Sequence, residues 1–229
     1  MTNAADKIIV ALDVPTKKQA LGLAEQLSKE ISFFKIGLQL FTTAGPDVVR
    51  EVLKTGAKVF LDLKLYDIPN TVAHAVESAG KLGVQMLTIH LSGGEAMVKA
   101  ALAARPNKMS ILGVTVLTSF DETSIRALGI SSTIEAQVSR LAKMGVGAGI
   151  NGLVVSAQEI EVVRPQFGDI ELVVPGIRPA WSETDDQERV MTPREALEAG
   201  ANYLVIGRPI IADKNPREAV AKILAEIEG

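Results

Sequence analysis

Cysteine is absent from the 229 residues, and only two histidines, His74 and His90, are present. The first absence excludes disulfides, thiolate zinc sites, iron–sulfur clusters and a cysteine nucleophile, and the second leaves little for any imidazole-based mechanism. No stretch reaches the roughly 20 uninterrupted apolar residues that a membrane span needs. Met1 to Asp6 lacks the basic and apolar regions of a secretory leader, so a cytoplasmic location without membrane attachment is expected. Nor does one sign of charge dominate: 24 Lys+Arg against 27 Asp+Glu give a net charge of −3, with the signs intermixed. No basic stripe invites nucleic acid or anionic lipid, although a small anion can still be held locally. Chemistry here falls to carboxylates, lysines, arginines or the backbone.

What is present is an ordinary globular composition, 47% hydrophobic and 22% charged, long enough for one sizeable core. Eight short runs rich in Val, Ile and Leu recur along the chain: Ile8 to Leu12, Phe33 to Gly37, Lys58 to Lys64, Met86 to His90, Ile111 to Leu117, Gly152 to Val155, Leu172 to Gly176 and Tyr203 to Gly207. Between them lie segments with helical spacing, such as Val220, Ile223, Leu224 and Ile227 on one helical face. Ser132 with Glu135, Thr192-Pro193 with Glu195, and Asn215-Pro216 with Glu218 mark helix starts, and Gly56, Gly83 and Gly145 mark stops. Continuous apolar strands alternating with amphipathic helices are what a parallel sheet covered by its crossovers requires. A doubly wound open sheet shares this local grammar. Eight units in this length favour a (β/α)₈ TIM barrel, with residues 1–229 forming one barrel domain. No linker rich in Pro, Gly or Ser divides the chain, and the polar, acid-crowded stretch from Arg178 to Arg189 reads as a mobile loop after the seventh strand.

In a barrel the active site gathers at the carboxyl ends of the strands, so charges there are the first candidates. Strand one ends in Ala11-Leu12-Asp13, strand two carries Lys35, and strand three runs Asp62-Leu63-Lys64-Leu65-Tyr66-Asp67. A period of two puts Asp62 and Lys64 on one face, with Leu61, Leu63 and Leu65 toward the helices. One such residue alone reads as a strand-end charge or a register-fixing ion pair. Lys35, Asp62, Lys64 and Asp67 together near one mouth make sense chiefly if they compensate one another or a ligand. A lysine between carboxylates is favoured as the ammonium, a proton donor held in place; an imine-forming lysine needs the opposite environment. Lys35, itself a cation, pulls the other way.

The loops after strands seven and eight carry Pro175-Gly176-Ile177-Arg178-Pro179, with Gln187 further along, and Gly207-Arg208-Pro209. Paired Gly-Arg units in these two positions suit phosphate, glycine admitting the anion to the backbone and arginine offering a fork to its oxygens. Thr118-Ser119 after strand five reads either as a turn or as an edge that meets a planar base. His90 is read as a core imidazole satisfied by the backbone ahead of a ligand contact, and His74 has no metal-like partner. Ser92-Gly93-Gly94 reads as a helix cap whose N–H groups also suit an anion.

Asp62-Leu63-Lys64-Leu65-Tyr66-Asp67-Ile68-Pro69-Asn70-Thr71 resembles the D-x-K-x-x-D-I-P-N-T signature of the orotidine 5′-phosphate decarboxylase family. The likeness spans the chain, taking in Ala11-Leu12-Asp13, Phe34-Lys35-Ile36-Gly37, Thr115 to Ser119, Val174 to Pro179 and Ile206 to Ile210 in the family's order. It is of the compact bacterial type. The resemblance implies a homodimeric (β/α)₈ barrel that, without cofactor or metal, releases CO₂ from orotidine 5′-monophosphate to give UMP, the last step of de novo pyrimidine nucleotide synthesis. By that resemblance Lys64 is the proton donor and Asp62 lies beside the substrate carboxylate. Lys35 and Asp13 hold the ribose hydroxyls, Thr118 and Ser119 meet the pyrimidine, and Arg178, Gln187, Gly207 and Arg208 surround the phosphate. Asp67 and Thr71 reach into the neighbouring subunit's site.

Two rivals remain on the sequence. A Mg²⁺-dependent sugar-phosphate decarboxylase or synthase of the same barrel type shares the D-x-K-x-x-D core, but uses a glutamate as metal ligand at the end of strand two, where this chain has the cation Lys35. A catalytically silent nucleotide-binding barrel is disfavoured by the intact Asp62, Lys64 and Asp67.

Overall fold

The computed structural model describes residues 3–182 and 191–229. Alternate residues of its strands point in opposite directions, and this alternation builds two apolar layers. Ile8, Val10, Phe34, Ile36, Val59, Leu61, Leu204 and Ile206 pack outward against the helices. Ile9, Ala11, Phe33, Phe60, Met86, Leu112, Val173 and Val205 fill the space between the strands. Such filling makes the interior a packed core, not a pore.

The strands are β1 (Ile8–Ala11), β2 (Phe33–Gly37), β3 (Lys58–Leu65), β4 (Met86–His90), β5 (Ser110–Val114), β6 (Gly152–Val154), β7 (Glu171–Val174) and β8 (Tyr203–Ile206). All pair in parallel, in sequence order, and β8 returns to β1, which closes the barrel. The (β/α)₈ architecture expected from the sequence is therefore the observed one, and the open sheet is not. Among the described residues no helix is long and apolar enough to cross a membrane.

Local chemistry accounts for most boundaries. Thr192 and Glu195 form a reciprocal capping box at Pro193–Glu198, and Asn215 caps Pro216–Glu228, whose Ala219, Val220 and Ile223 are buried. Gly83 ends Pro69–Leu82 at φ 87°. Three expectations need correction. The helix Ile134–Gly147 is capped by Thr133, whose hydroxyl accepts from the Ala136 N–H, and not by Ser132. Gly145 lies inside that helix and does not stop it. The fifth strand ends at Val114, so Thr115 to Leu117 belong to the loop that follows. Residues 183–189, most of the stretch from Arg178 to Arg189 read as a mobile loop, lie outside the described residues.

Candidate active site

Register brings the charges together. Ala11 pairs with Lys35, Lys35 with Phe60, and Gly37 with Asp62, so the inward positions of β1, β2 and β3 rise from apolar to charged toward their carboxyl ends. The Lys35 ammonium lies 3.0 Å from Asp13 Oδ1 and 3.6 Å from Asp62 Oδ2. The Lys64 ammonium donates to both oxygens of Asp62 at 2.9 Å. Two cations and two anions thus alternate in a chain from Asp13 to Lys64. Lys35 and Asp62 are buried, Lys64 is partly open, and the Asp13 side chain is half exposed. Gly37 leaves them room: a Cβ there would stand 3.0 Å from Lys35 Nζ and 3.2 Å from Asp13 Oδ1 and would press on both.

Burial by itself pushes the Asp62 carboxyl up. The attraction of Lys35 and Lys64, with hydrogen bonds from Lys64 and Thr88, outweighs this and holds it below the ordinary carboxylate value. Burial also lowers the imidazole of His90, and Lys64 adds in the same direction against a weaker pull from Asp62. His90 closes β4 and tilts against Tyr66, ring centroids 5.9 Å apart.

Lys64 reaches this position by a route that period-two alternation does not describe. Leu61 pairs with Leu87 and Leu65 with Ile89, so four steps along β3 span only two along β4, and the strand bulges between them. Lys64 sits in the left-handed region at φ 49°, the only described non-glycine residue there, a conformation that costs roughly 1–3 kcal/mol and persists only where its surroundings hold it. Leu63 and Leu65 still pack against the helix-side core.

Two adjoining cavities open on the cluster, sharing Lys35, Asp62, Pro175 and Val205 in their walls. The narrower, about 130 Å³, is apolar on Phe60, Val114, Val116, Val154 and Val205, and carries Lys64 and Thr118. The wider, about 320 Å³, is lined by Asp13, Gly176, Arg178, Gly207 and Arg208. A flat ring with little polarity fits the first, and an anionic, hydroxylated tail fits the second. Arg178 is buried, and its backbone N–H donates to Met191 O at 3.0 Å. Gly207 precedes the short helix Arg208–Ile211.

Three other sequence candidates are not among the residues that line the two cavities. Asp67, Thr71 and Ser119 are exposed, and Asp67 Oδ1 accepts from the Ile68 N–H at 2.6 Å. Gln187 lies outside the described residues. Two contributors escaped the sequence reading: the apolar wall, whose residues look like any barrel filling, and Thr88, a lone hydroxyl inside Leu87-Thr88-Ile89.

A closed parallel barrel with a buried lysine–carboxylate cluster at its carboxyl end and arginines after β7 and β8 defines a TIM-barrel protein whose site suits a phosphorylated ligand. Residues 6–223 match the Orotidine 5'-phosphate decarboxylase / HUMPS family, and the chain belongs to it. The chain is 49% identical to the orotidine 5'-phosphate decarboxylase of Moorella thermoacetica over 99% of its own length and 94% of that protein. It is 45% identical to that of Pseudomonas putida over the whole of both. Among solved structures, the orotidine 5'-phosphate decarboxylase of Lactobacillus acidophilus superposes with a TM-score of 0.86 at 34% identity, covering 98% of this chain and 100% of that one.

Proposed function

We propose that the chain decarboxylates orotidine 5′-monophosphate to UMP in the cytoplasm, without cofactor, and that Lys64 supplies the proton. The observation that carries this reading is the Lys64 ammonium held by both oxygens of Asp62 where the narrow apolar cavity meets the arginine-lined one. In the reaction the C6–carboxylate bond breaks, CO₂ departs, and the electron pair stays on C6. No adjacent π-system stabilises that pair well, so a nearby positive charge is the main resource; Lys64 offsets the developing charge and then transfers its proton to C6. Solvent returns a proton to the amine.

Asp62, below its ordinary carboxylate value, is ionised at neutral pH and lies beside the departing carboxylate. Lys35 and Asp13 hold the ribose hydroxyls, and Thr118 and Ser119 the pyrimidine edge. Arg178, Gln187, Gly207 and Arg208 take the phosphate, whose binding energy, remote from C6, contributes to lowering the barrier. Asp67 and Thr71 complete the site of a second copy in a homodimer. Tyr66 and Ile68, large apolar side chains exposed on either side of Asp67, support this reading as a surface that a second copy would cover.

The Mg²⁺-dependent alternative is disfavoured by Lys35, whose ammonium occupies the space between the two carboxylates a cation would need. The test is loss of the pyrimidine absorbance of orotidine 5′-monophosphate with purified protein, in EDTA and again with added Mg²⁺. Equal rates are expected; decarboxylation that collapses in EDTA and returns with Mg²⁺ would overturn the proposal.

A further inference from the structure

We propose that Thr88 is a positioning residue for decarboxylation, its hydroxyl locking the bulged backbone at Lys64 to the carboxylate of Asp62. This rests on the reading of Lys64 as proton donor. Thr88 is fully buried on β4 and lines neither cavity, so it acts through its neighbours and not on a ligand. Its Oγ1 accepts from the Lys64 backbone N–H at 2.8 Å and donates to Asp62 Oδ1 at 2.9 Å.

The direction of the two bonds is forced. A backbone N–H can only donate, so Thr88 Oγ1 accepts from Lys64; the carboxylate of Asp62, ionised beside two ammonium groups, can only accept, so the hydroxyl's single proton goes to it. The hydroxyl therefore suits an ionised Asp62 that also receives the Lys64 ammonium, and one side chain of β4 fixes both ends of the Lys64 residue: backbone directly, ammonium through Asp62. The bulge explains why a fixing group is needed. Between Leu61 and Leu65 the β3–β4 ladder loses its regular pairing, and the Lys64 N–H finds its partner in a side chain instead of a strand carbonyl. Lys64 is also held at φ 49°, a conformation that relaxes unless something restrains it. A hydroxyl on a rigid, fully buried strand is such a restraint. A displaced ammonium loses its alignment with C6 while the ribose and phosphate contacts remain, so the consequence falls on turnover.

The test compares Thr88→Val, which keeps shape and removes the hydroxyl, with Thr88→Ser, which keeps the hydroxyl, and runs Lys64→Ala beside them. Thr88→Val should lower kcat by about 10- to 100-fold, the scale of a catalytic group misplaced by about an ångström. KM for orotidine 5′-monophosphate and the affinity for UMP should change far less, and Thr88→Ser should recover most of kcat. Wild-type kcat in the valine variant, a loss confined to KM, or a serine variant as poor as valine would each overturn the proposal. Should valine not fold, Thr88→Ala, which takes no more room, is read in the same way. An active Lys64→Ala would instead sink the proton-donor reading itself, whereas an inactive Lys64→Ala beside a fully active Thr88→Val sinks only the role of Thr88.

Discussion

The Lys64 ammonium lies 2.9 Å from each oxygen of the Asp62 carboxylate, although the two residues are only two positions apart on a strand that bulges between them. Such a grip holds the ammonium in one place, which a flexible lysine in water does not achieve. In the proposed reaction, removing Lys64 removes both the charge that stabilises a C6 carbanion and the proton that ends it. Lys64→Ala is expected to lower kcat by about 10⁴-fold or more, the combined scale of lost electrostatic stabilisation and lost proton transfer. The fold and UMP binding should survive. Single-turnover assays and calorimetric titration with UMP check this, and substantial turnover in the variant would refute the assignment of Lys64.

Acid should weaken the fold through the other member of the pair. The folded carboxyl of Asp62 stays ionised below its ordinary value of 3.8, while in the unfolded chain it regains protons near that value. Between the two, the unfolded state binds more protons, so stability rises with pH there and is lost as pH falls through the folded value. Above about pH 5 the contribution is complete and flat. Urea midpoints measured from pH 3 to 6 should therefore fall more steeply toward acid in the native protein than in Asp62→Asn. The asparagine variant, with Lys35 and Lys64 left facing each other, should also be less stable at pH 7. Parallel curves for the two proteins would contradict the attribution.

Leu91 separates two glycines. A Cβ at Gly113 would stand 2.7 Å from its Cδ2, and one at Gly145 2.8 Å from the same atom. Leu91 is itself fully buried, so it has nowhere to withdraw. Helix propensity alone predicts that Gly145→Ala gains about 1 kcal/mol in the interior of Ile134–Gly147. Overpacking predicts the opposite, a loss of about 1–3 kcal/mol, and the 2.8 Å approach makes overpacking decisive. Urea unfolding is expected to show a lower midpoint for the alanine variant, with KM unchanged; a higher midpoint would mean that Leu91 can give way.

Gly145 also shows where sequence reading stops. A glycine that ends a helix and one that admits a neighbouring leucine look alike in a sequence, because what separates them is a contact with Leu91, more than fifty positions away. Thr88 was illegible for the same reason: its hydroxyl acquires meaning only from the register of β4 beside the β3 bulge. The barrel itself was legible from the number of units, eight apolar runs alternating with helical segments in 229 residues, and not from a local pattern that an open sheet shares. Lys35 and Asp62 stood out because charges inside apolar strands are too costly to be incidental. Asp67 and Thr71 are exposed in the single chain, so the role proposed for them rests on a second copy.

Those two residues set the last prediction. Tyr66 is 63% exposed and Ile68 66%, on either side of Asp67, and Leu128, 63% exposed, lines with Tyr66 an apolar groove of about 480 Å³. If a second copy covers this surface and receives Asp67 and Thr71, Ile68→Asp should shift the species seen by light scattering from dimer to monomer and lower kcat/KM. Complementation separates shared sites from mere contact. Lys64→Ala and Asp67→Ala should each be inactive as pure proteins. In a mixed dimer one site is doubly defective, and the other combines an intact Lys64 with an intact Asp67 from the partner. Equal mixing gives half mixed dimers, so about one quarter of native activity should return. Adding Ile68→Asp to both proteins should abolish that recovery. Activity in the mixture no greater than the sum of its parts would mean that each site is complete within its own chain.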